Sequence, residues 1–219
     1  LLAYLACHAD RPHPREELIA MLWPDADPDA GRHSLSQALT SLRHQLEPPG
    51  VAAGSVVVSD RNTVRLNPEA FSADVVVFEE QVVGAARTDD PSDRRERLER
   101  AAQVYGGELL PGFYEDWVLA RRDRYAAQML DALRALASQS AATGHLDLAI
   151  DYARRAVDVD PLCEEAHADL MTFYAADGRA SSVVRQYAEL ERVLRRELDV
   201  EPSDETRRLL AELKSRPVD

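Results

Sequence analysis

A polar stretch near the start of the chain carries side chains suited to binding a nucleic acid. From Ala30 to Gln45 the sequence contains no Asp or Glu, although the chain of 219 residues contains 39 of them. Its polar side chains are those of Arg, His, Ser, Thr and Gln, which donate hydrogen bonds to phosphates and to the edges of bases. A solvated helix face would have the same composition, so the stretch alone leaves both interpretations open. Its polar residues are Arg32, His33, Ser36, Gln37, Thr40, Ser41, Arg43 and His44.

No comparable pattern indicates catalysis or a cofactor. The sequence contains neither G-x-x-x-x-G-K-[ST] nor G-x-G-x-x-G, and its six histidines show no ligand spacing with cysteines or carboxylates. Asp25, Asp27 and Asp29 resemble the start of a calcium loop, but Pro28 interrupts them, and we expect them to open a helix instead. We therefore predict that the protein is not an enzyme and uses no cofactor or metal.

The net charge of −13 argues at first against nucleic acid, because phosphate binding favours a basic surface. The acidity is unevenly distributed along the chain. Residues 1–70 contain six Lys or Arg and nine Asp or Glu, a net charge of −3, whereas residues 71–219 contain 20 and 30, a net charge of −10. Most of the electrostatic repulsion is therefore expected from the second segment.

Three helices are expected to position the polar stretch. Apolar spacing predicts a first helix within residues 1–9, a second that opens at 13–17 and stops at Pro24, and a third from about Ala30 to Leu46. The third helix has a single apolar stripe opposite its polar side chains. That stripe consists of Leu35, Ala38, Leu39, Leu42 and Leu46.

A β-hairpin is predicted to follow these helices. Two short strands are expected at 55–59 and 63–67, with a turn at 60–62 in which Asn62 would adopt a positive φ. Arg61 then lies at the tip of the hairpin. Three helices followed by a hairpin with a basic tip are typical of a winged helix, whose third helix enters the major groove of DNA.

The second segment is predicted to be a helical array. Helices are expected around 75–82, at 98–104 and at 115–143, and Gly144 and Gly178 then occur 34 residues apart. That period is typical of tetratricopeptide repeats, and the residues around Gly178 match the repeat more loosely than those around Gly144. The matching residues of the first repeat are Leu133, Leu136, Ala137, Gly144, Ala149, Ile150, Tyr152, Ala156, Val157, Asp160 and Pro161.

Motifs of the first segment occur in the order of a known domain. They are Arg15-Glu16-Glu17-Leu18-Ile19, Leu22-Trp23-Pro24-Asp25, Arg32-His33-Ser34-Leu35-Ser36-Gln37-Ala38-Leu39, Leu42-Arg43 and Thr63-Val64-Arg65-Leu66. Together they resemble the OmpR-type winged helix of the SARP/AfsR family of bacterial transcriptional regulators. That domain normally begins with a small sheet, so the resemblance implies that the N-terminal sheet is missing here and that the chain begins in the first helix.

The second segment is similar to the bacterial transcriptional activation domain that follows the winged helix in the same family. The residues that carry this similarity are Tyr105-Gly106-Gly107-Glu108-Leu109-Leu110-Pro111-Gly112-Phe113, Trp117 and the closing stretch from Leu198 to Leu210. The fold expected is mainly α, with a winged-helix domain at 1–70 and a tetratricopeptide-like activation domain at 71–219.

The resemblance implies a transcriptional regulator of the activator type that reads double-stranded promoter DNA and contacts RNA polymerase. A homodimer or further domains of a longer chain are additional expected partners. The residues expected to contact DNA are Arg32, His33, Ser36, Gln37, Thr40, Arg43 and His44 on the third helix, and Arg61 and Arg65 on the hairpin.

An alternative interpretation is a tetratricopeptide-like interaction module of a larger multidomain signalling protein, in which the winged helix is residual. The two cysteines, Cys7 and Cys163, are far apart and are expected to be small core residues in a reducing compartment. No uncharged apolar run approaches the roughly 18 residues of a membrane span. We therefore expect a cytoplasmic protein without a membrane partner.

Overall fold

The computed structural model describes residues 1–215 of the chain, and these residues are mainly helical, as predicted. They divide into two compact units after Val77. The first unit contains α1, β1, α2, α3, β2 and β3, and α4 begins at its end. These elements comprise Leu2–Cys7 (α1), His13–Pro14 (β1), Arg15–Leu22 (α2), Pro28–Leu46 (α3), Val57–Ser59 (β2) and Thr63–Leu66 (β3).

The first unit contains a three-stranded antiparallel sheet with β3 at its centre. β2 pairs with one side of β3, where Val58 lies opposite Arg65, and β1 pairs with the other side, where His13 lies opposite Val64. The sequence pattern does not predict β1, since it indicates that residues 13–17 open a helix. That expectation is wrong at its first two residues, because α2 begins only at Arg15.

The hairpin turn differs from the predicted one. Asn62 does not have a positive φ, because the Asp60 carboxylate organises the turn instead. Its Oδ1 accepts hydrogen bonds from the backbone N–H of Asn62 and of Thr63, both at 2.7 Å. An Asp side chain that caps its own turn in this way makes a left-handed residue unnecessary.

The helices of the first unit pack closely where a glycine faces a neighbouring helix. A Cβ atom built on Gly31 of α3 would lie 2.4 Å from Cγ2 of Ile19 on α2. The two helices therefore pack together at this point only because residue 31 has no side chain. The buried apolar residues of the unit are Tyr4, Leu5, Cys7, Leu18, Leu35, Leu39, Val57, Val64 and Leu66.

Seven helices account for the regular structure from residue 74 to residue 215. Along the chain, α5 packs on α6, α6 on α7, α7 on α8 and α8 on α9, and α10 packs on both α8 and α9. None of these or of the other described helices has the length and the apolar character needed to cross a membrane. They comprise Asp74–Arg87 (α4), Pro91–Val104 (α5), Asp116–Ala142 (α6), Leu146–Val159 (α7), Glu164–Ala176 (α8), Ala180–Leu198 (α9) and Asp204–Ser215 (α10).

Glycines at the predicted positions turn the chain between these helices. Gly144 follows α6 with φ +80°, and Gly178 follows α8 with φ +71°. Glycine adopts this left-handed conformation without the steric penalty of a side chain. Small residues are buried on α7, where Ala149 and Ala156 are completely inaccessible.

The two cysteines differ in burial. Cys7 is buried in the first unit, as expected. Cys163 is only half-buried, which corrects the expectation of a core residue, because it occupies the capping position at the exposed start of α8. There its Sγ donates a hydrogen bond to Glu165 Oε2 at 3.3 Å.

A single arginine of α6 holds the loop between α5 and α6. Arg122 Nε donates to the carbonyl of Leu109 at 2.6 Å, and its Nη2 donates to those of Leu110 and Phe113 at 2.5 and 2.8 Å. The same guanidinium pairs with Glu108 at 2.6 Å. The loop backbone is thereby fixed while Phe113 and Tyr114 remain exposed.

Candidate nucleic-acid interface

The polar stretch predicted from the sequence lies on α3, and the acidic residues expected to open this helix lie at its start. The Asp27 carboxylate accepts hydrogen bonds from the backbone N–H of Asp29 and Ala30, at 3.0 and 2.9 Å. Leu35 and Leu39 are buried. The exposed polar residues of the predicted set are Arg32, His33, Ser36, Gln37, Thr40 and His44, whereas Arg43 is half-buried.

Four of these residues form one exposed stripe, which we call the α3 stripe: His33, Gln37, Thr40 and His44. Spacings of four, three and four residues place their side chains on the same face of a helix. Gln37 lies two residues after Leu35 and two before Leu39, so it is about half a turn from both. The α3 stripe therefore points directly away from the core of the first unit.

The two hydroxyl-bearing residues of this surface donate to the backbone of their own helix. Ser36 Oγ donates to the carbonyl of Arg32 at 2.8 Å, and Thr40 Oγ1 donates to that of Ser36 at 2.9 Å. A hydroxyl that donates its proton in this way keeps oxygen lone pairs that can accept. Both side chains are thus arranged to accept a hydrogen bond from outside the protein.

The two arginines of α3 both have partners. Arg32 Nη2 lies 2.6 Å from Asp29 Oδ1 in an exposed ion pair. Such pairs contribute only about 0–1 kcal/mol to stability. Arg32 can therefore exchange Asp29 for a phosphate at small cost.

Arg43 connects α3 to the hairpin. Its Nη2 donates to Ser59 Oγ at 2.6 Å and to the carbonyl of Val57 at 3.4 Å. The side chain is half-buried, so it cannot extend into a groove of DNA without giving up these bonds. Sequence reasoning placed Arg43 among the DNA contacts and did not predict this link to β2.

Glu47 forms a second connection between α3 and the hairpin, which sequence reasoning also missed. Its carboxylate accepts hydrogen bonds from the backbone N–H of Gly54 at 2.9 Å and of Val56 and Val57, both at 2.8 Å. The bonds from Gly54 and Val57 hold the pKa of Glu47 below its usual value, and nearby Arg43 acts in the same direction. The ionised carboxylate thus fixes the start of β2 to the end of α3.

The predicted basic residues of the hairpin are both exposed. Arg61 lies in the turn between β2 and β3, and Arg65 lies on β3 between the buried residues Val64 and Leu66. The alternation follows from the period of two along a strand, which sends Arg65 to the face opposite the core. Arg15 supports the turn, since its backbone N–H donates to the carbonyl of Asn62 at 2.8 Å.

The second unit offers a groove with a different character. It has a volume of about 490 Å³ and lies between α6, α8 and α10. Arg134 pairs with Asp169 there at 2.7 Å, and Glu164 accepts from the Thr206 hydroxyl at 2.6 Å. Acidic side chains outnumber basic ones along it. The acidic residues are Glu164, Glu165, Asp169, Glu205 and Glu212, and the basic residues are Arg134 and Arg208.

Metal binding has no evident location in residues 1–215, since no three His, Cys, Asp or Glu side chains there are grouped closely enough to hold an ion. The buried His167 is hydrogen-bonded to the protein instead. Its Nε2 lies 3.1 Å from the carbonyl oxygen of Pro161, and its Nδ1 lies 2.9 Å from Gln186 Nε2. Burial lowers the pKa of His167, which favours the neutral ring.

Comparisons with known proteins show the family of the chain and a structure with a related fold. The family model described as "bacterial transcriptional activator domain" matches residues 73–214. The solved structure of Mycobacterium tuberculosis EmbR in complex with a low affinity phosphopeptide superimposes with a TM-score of 0.72 at 22% sequence identity. The match covers 100% of this chain and 59% of that chain, and at this identity it shows the fold alone. No curated protein gave a significant sequence match.

Proposed function

Because the chain belongs to the bacterial transcriptional activator domain family, we propose that it is a transcriptional activator that binds promoter DNA directly. Residues 1–70 form a winged helix that reads the DNA, and residues 71–219 form a tetratricopeptide-like activation domain. The division into compact units after Val77 and the start of the family match at residue 73 support this organisation.

The observation that carries the proposal is the α3 stripe. It is polar, free of acidic residues and directed away from the core, which is the arrangement that a helix needs to enter the major groove. Arg61 and Arg65 on the hairpin contact the neighbouring phosphates, where an arginine can bind two oxygens at once. The proposed DNA contacts are Arg32, His33, Ser36, Gln37, Thr40, His44, Arg61 and Arg65, whereas Arg43 holds the hairpin to α3.

In this proposal, the second unit binds a protein partner. Residues 71–219 carry a net charge of −10, which disfavours contact with phosphate and is compatible with a protein surface. RNA polymerase is the partner that activation requires, and a second copy of the chain would pair two DNA-reading helices on neighbouring half-sites. The acidic groove between α6, α8 and α10 belongs to this unit.

The experiment is a selection of DNA duplexes by the protein from a randomised pool, followed by binding measurements on the enriched duplex. We expect Arg61→Ala to weaken binding and to reduce the slope of log K against log salt by about 1, because one phosphate contact is lost. Arg100→Ala is the matched control, since Arg100 is an exposed arginine of the second unit. A protein that enriches no duplex from the pool would contradict the proposal.

A second candidate function is a protein-interaction module with a residual winged helix. The acidic groove favours it, because a concave surface with an excess of carboxylates suits a basic segment of a partner. This function requires a protein partner and no DNA. The duplex selection separates the two candidates, since only the transcriptional activator enriches a sequence.

A further inference from the structure

On the basis of the proposed function, we infer that Gln37 determines part of the sequence preference by reading an adenine in the major groove. This adenine belongs to one base pair of the target, opposite the middle of the α3 stripe. Its recognition depends on which side chains of α3 are free to form paired hydrogen bonds with a base edge.

Gln37 has the position that base reading requires. It is exposed, and it lies about half a turn of helix from both Leu35 and Leu39, which are buried. The side chains of this part of a recognition helix reach the floor of the groove, whereas those beside the buried stripe reach only its walls. Gln37 therefore faces base edges when α3 lies in the groove.

The arginines of α3 are not placed to read a base in the same way. Arg32 lies three residues before Leu35, and Arg43 lies four residues after Leu39, so both flank the buried stripe. Arg43 is also bonded to Ser59 and Val57 of the hairpin. An arginine with two free donors would favour guanine, and neither of these arginines offers that arrangement along the α3 stripe.

The remaining members of the α3 stripe cannot form a paired contact either. The imidazoles of His33 and His44 each present a single nitrogen to one base, and the Thr40 hydroxyl already donates to the carbonyl of Ser36. Gln37 has both an amide N–H donor and a carbonyl acceptor at its end. Adenine presents the complementary pair in the major groove, an N7 acceptor beside an N6 donor, and glutamine binds both together.

The test uses the 219-residue chain and a pool of randomised duplexes, with sequencing of the enriched DNA. We expect a motif with a preferred adenine, and we expect Gln37→Glu to change that adenine to cytosine, because a carboxylate accepts from cytosine N4. Gln37→Ala should reduce discrimination at the position by about tenfold to a hundredfold. Gln45→Ala is the matched control, because Gln45 is exposed on α3 outside the stripe and should leave the motif unchanged.

A second measurement tests the paired geometry. Replacing the preferred adenine by 7-deazaadenine removes the N7 acceptor, so it should weaken binding by the unaltered protein and have no effect on Gln37→Ala. An adenine preference that persists in Gln37→Glu would overturn the inference and leave DNA binding intact. Failure of the unaltered protein to enrich any sequence would overturn both the inference and the proposed function.

Discussion

Glu47 and Arg43 hold the hairpin to α3. Each of the two side chains forms several hydrogen bonds to the hairpin segment. Glu47 accepts three backbone N–H groups at the start of β2, and Arg43 donates to Ser59 and Val57 within the same strand. Charged partners make such hydrogen bonds stronger than those between neutral groups. The position of the hairpin relative to α3 therefore depends on two residues near the end of one helix.

The contribution of Glu47 should depend on pH. Its pKa is lowered in the folded protein, so its stabilisation is fully present above the ordinary pKa of about 4.3 and is lost as the pH falls through the lower folded value. Glu47→Gln should reduce the hydrogen-exchange protection of the Gly54, Val56 and Val57 amides at pH 7. The difference from the unaltered protein should shrink toward pH 3. A difference that is constant over this range would contradict the assigned role.

The secondary-structure elements that could be predicted from the sequence are those that local periodicity determines. The apolar stripe of α3, its acidic start and the glycine turns after α6 and α8 all depend on residues within a few positions of one another, and the structure contains them. The contacts that could not be predicted join distant parts of the chain. β1 is recognisable only by its pairing with β3, and Arg43 and Ser59 are 16 residues apart.

The contact between α2 and α3 should be sensitive to a single methyl group. Gly31→Ala places a Cβ atom 2.4 Å from Ile19 Cγ2, and crowding of this kind costs about 1–3 kcal/mol. The gain in helix propensity offsets at most about 1 kcal/mol of that cost. We therefore expect a lower free energy of unfolding for the first unit, measured by denaturant titration.

Gly84→Ala provides the matched control for this substitution. Gly84 also lies within a helix, but a Cβ atom there meets the Nη1 atom of Arg97, at the end of a flexible side chain that can move. Propensity should then dominate, and the variant should be as stable as the unaltered protein or slightly more so. Equal destabilisation by both substitutions would show that packing against Ile19 is not the cause.

The negative charge of the chain and its proposed contacts with DNA lie mostly in different segments. The family predicted from the sequence motifs is confirmed by the match over residues 73–214. The net charge of −13 lies mostly outside the segment proposed to touch DNA. Few arginines remain available for phosphate contacts, chiefly Arg32, Arg61 and Arg65, since Arg43 is engaged with β2.

This charge distribution predicts a shallow salt dependence of DNA binding. Each phosphate contact contributes a slope of about −0.9 to log K against log salt, so three contacts give about −3 per protein molecule. Sequence-independent binding should be weak, because its affinity comes almost entirely from contacts with phosphates. Titrations of the selected duplex and of an unrelated duplex at several salt concentrations would measure both. A slope steeper than about −6 per protein molecule would contradict the assignment of contacts.

The short strand β1 also has a consequence for self-association. It forms one edge of the sheet and has only two residues, one of which is Pro14. Proline has no N–H to donate, and a short edge offers few free backbone groups to a strand from another molecule. Intermolecular strand addition at this edge, a common first step of aggregation, is therefore disfavoured by the two residues that precede α2.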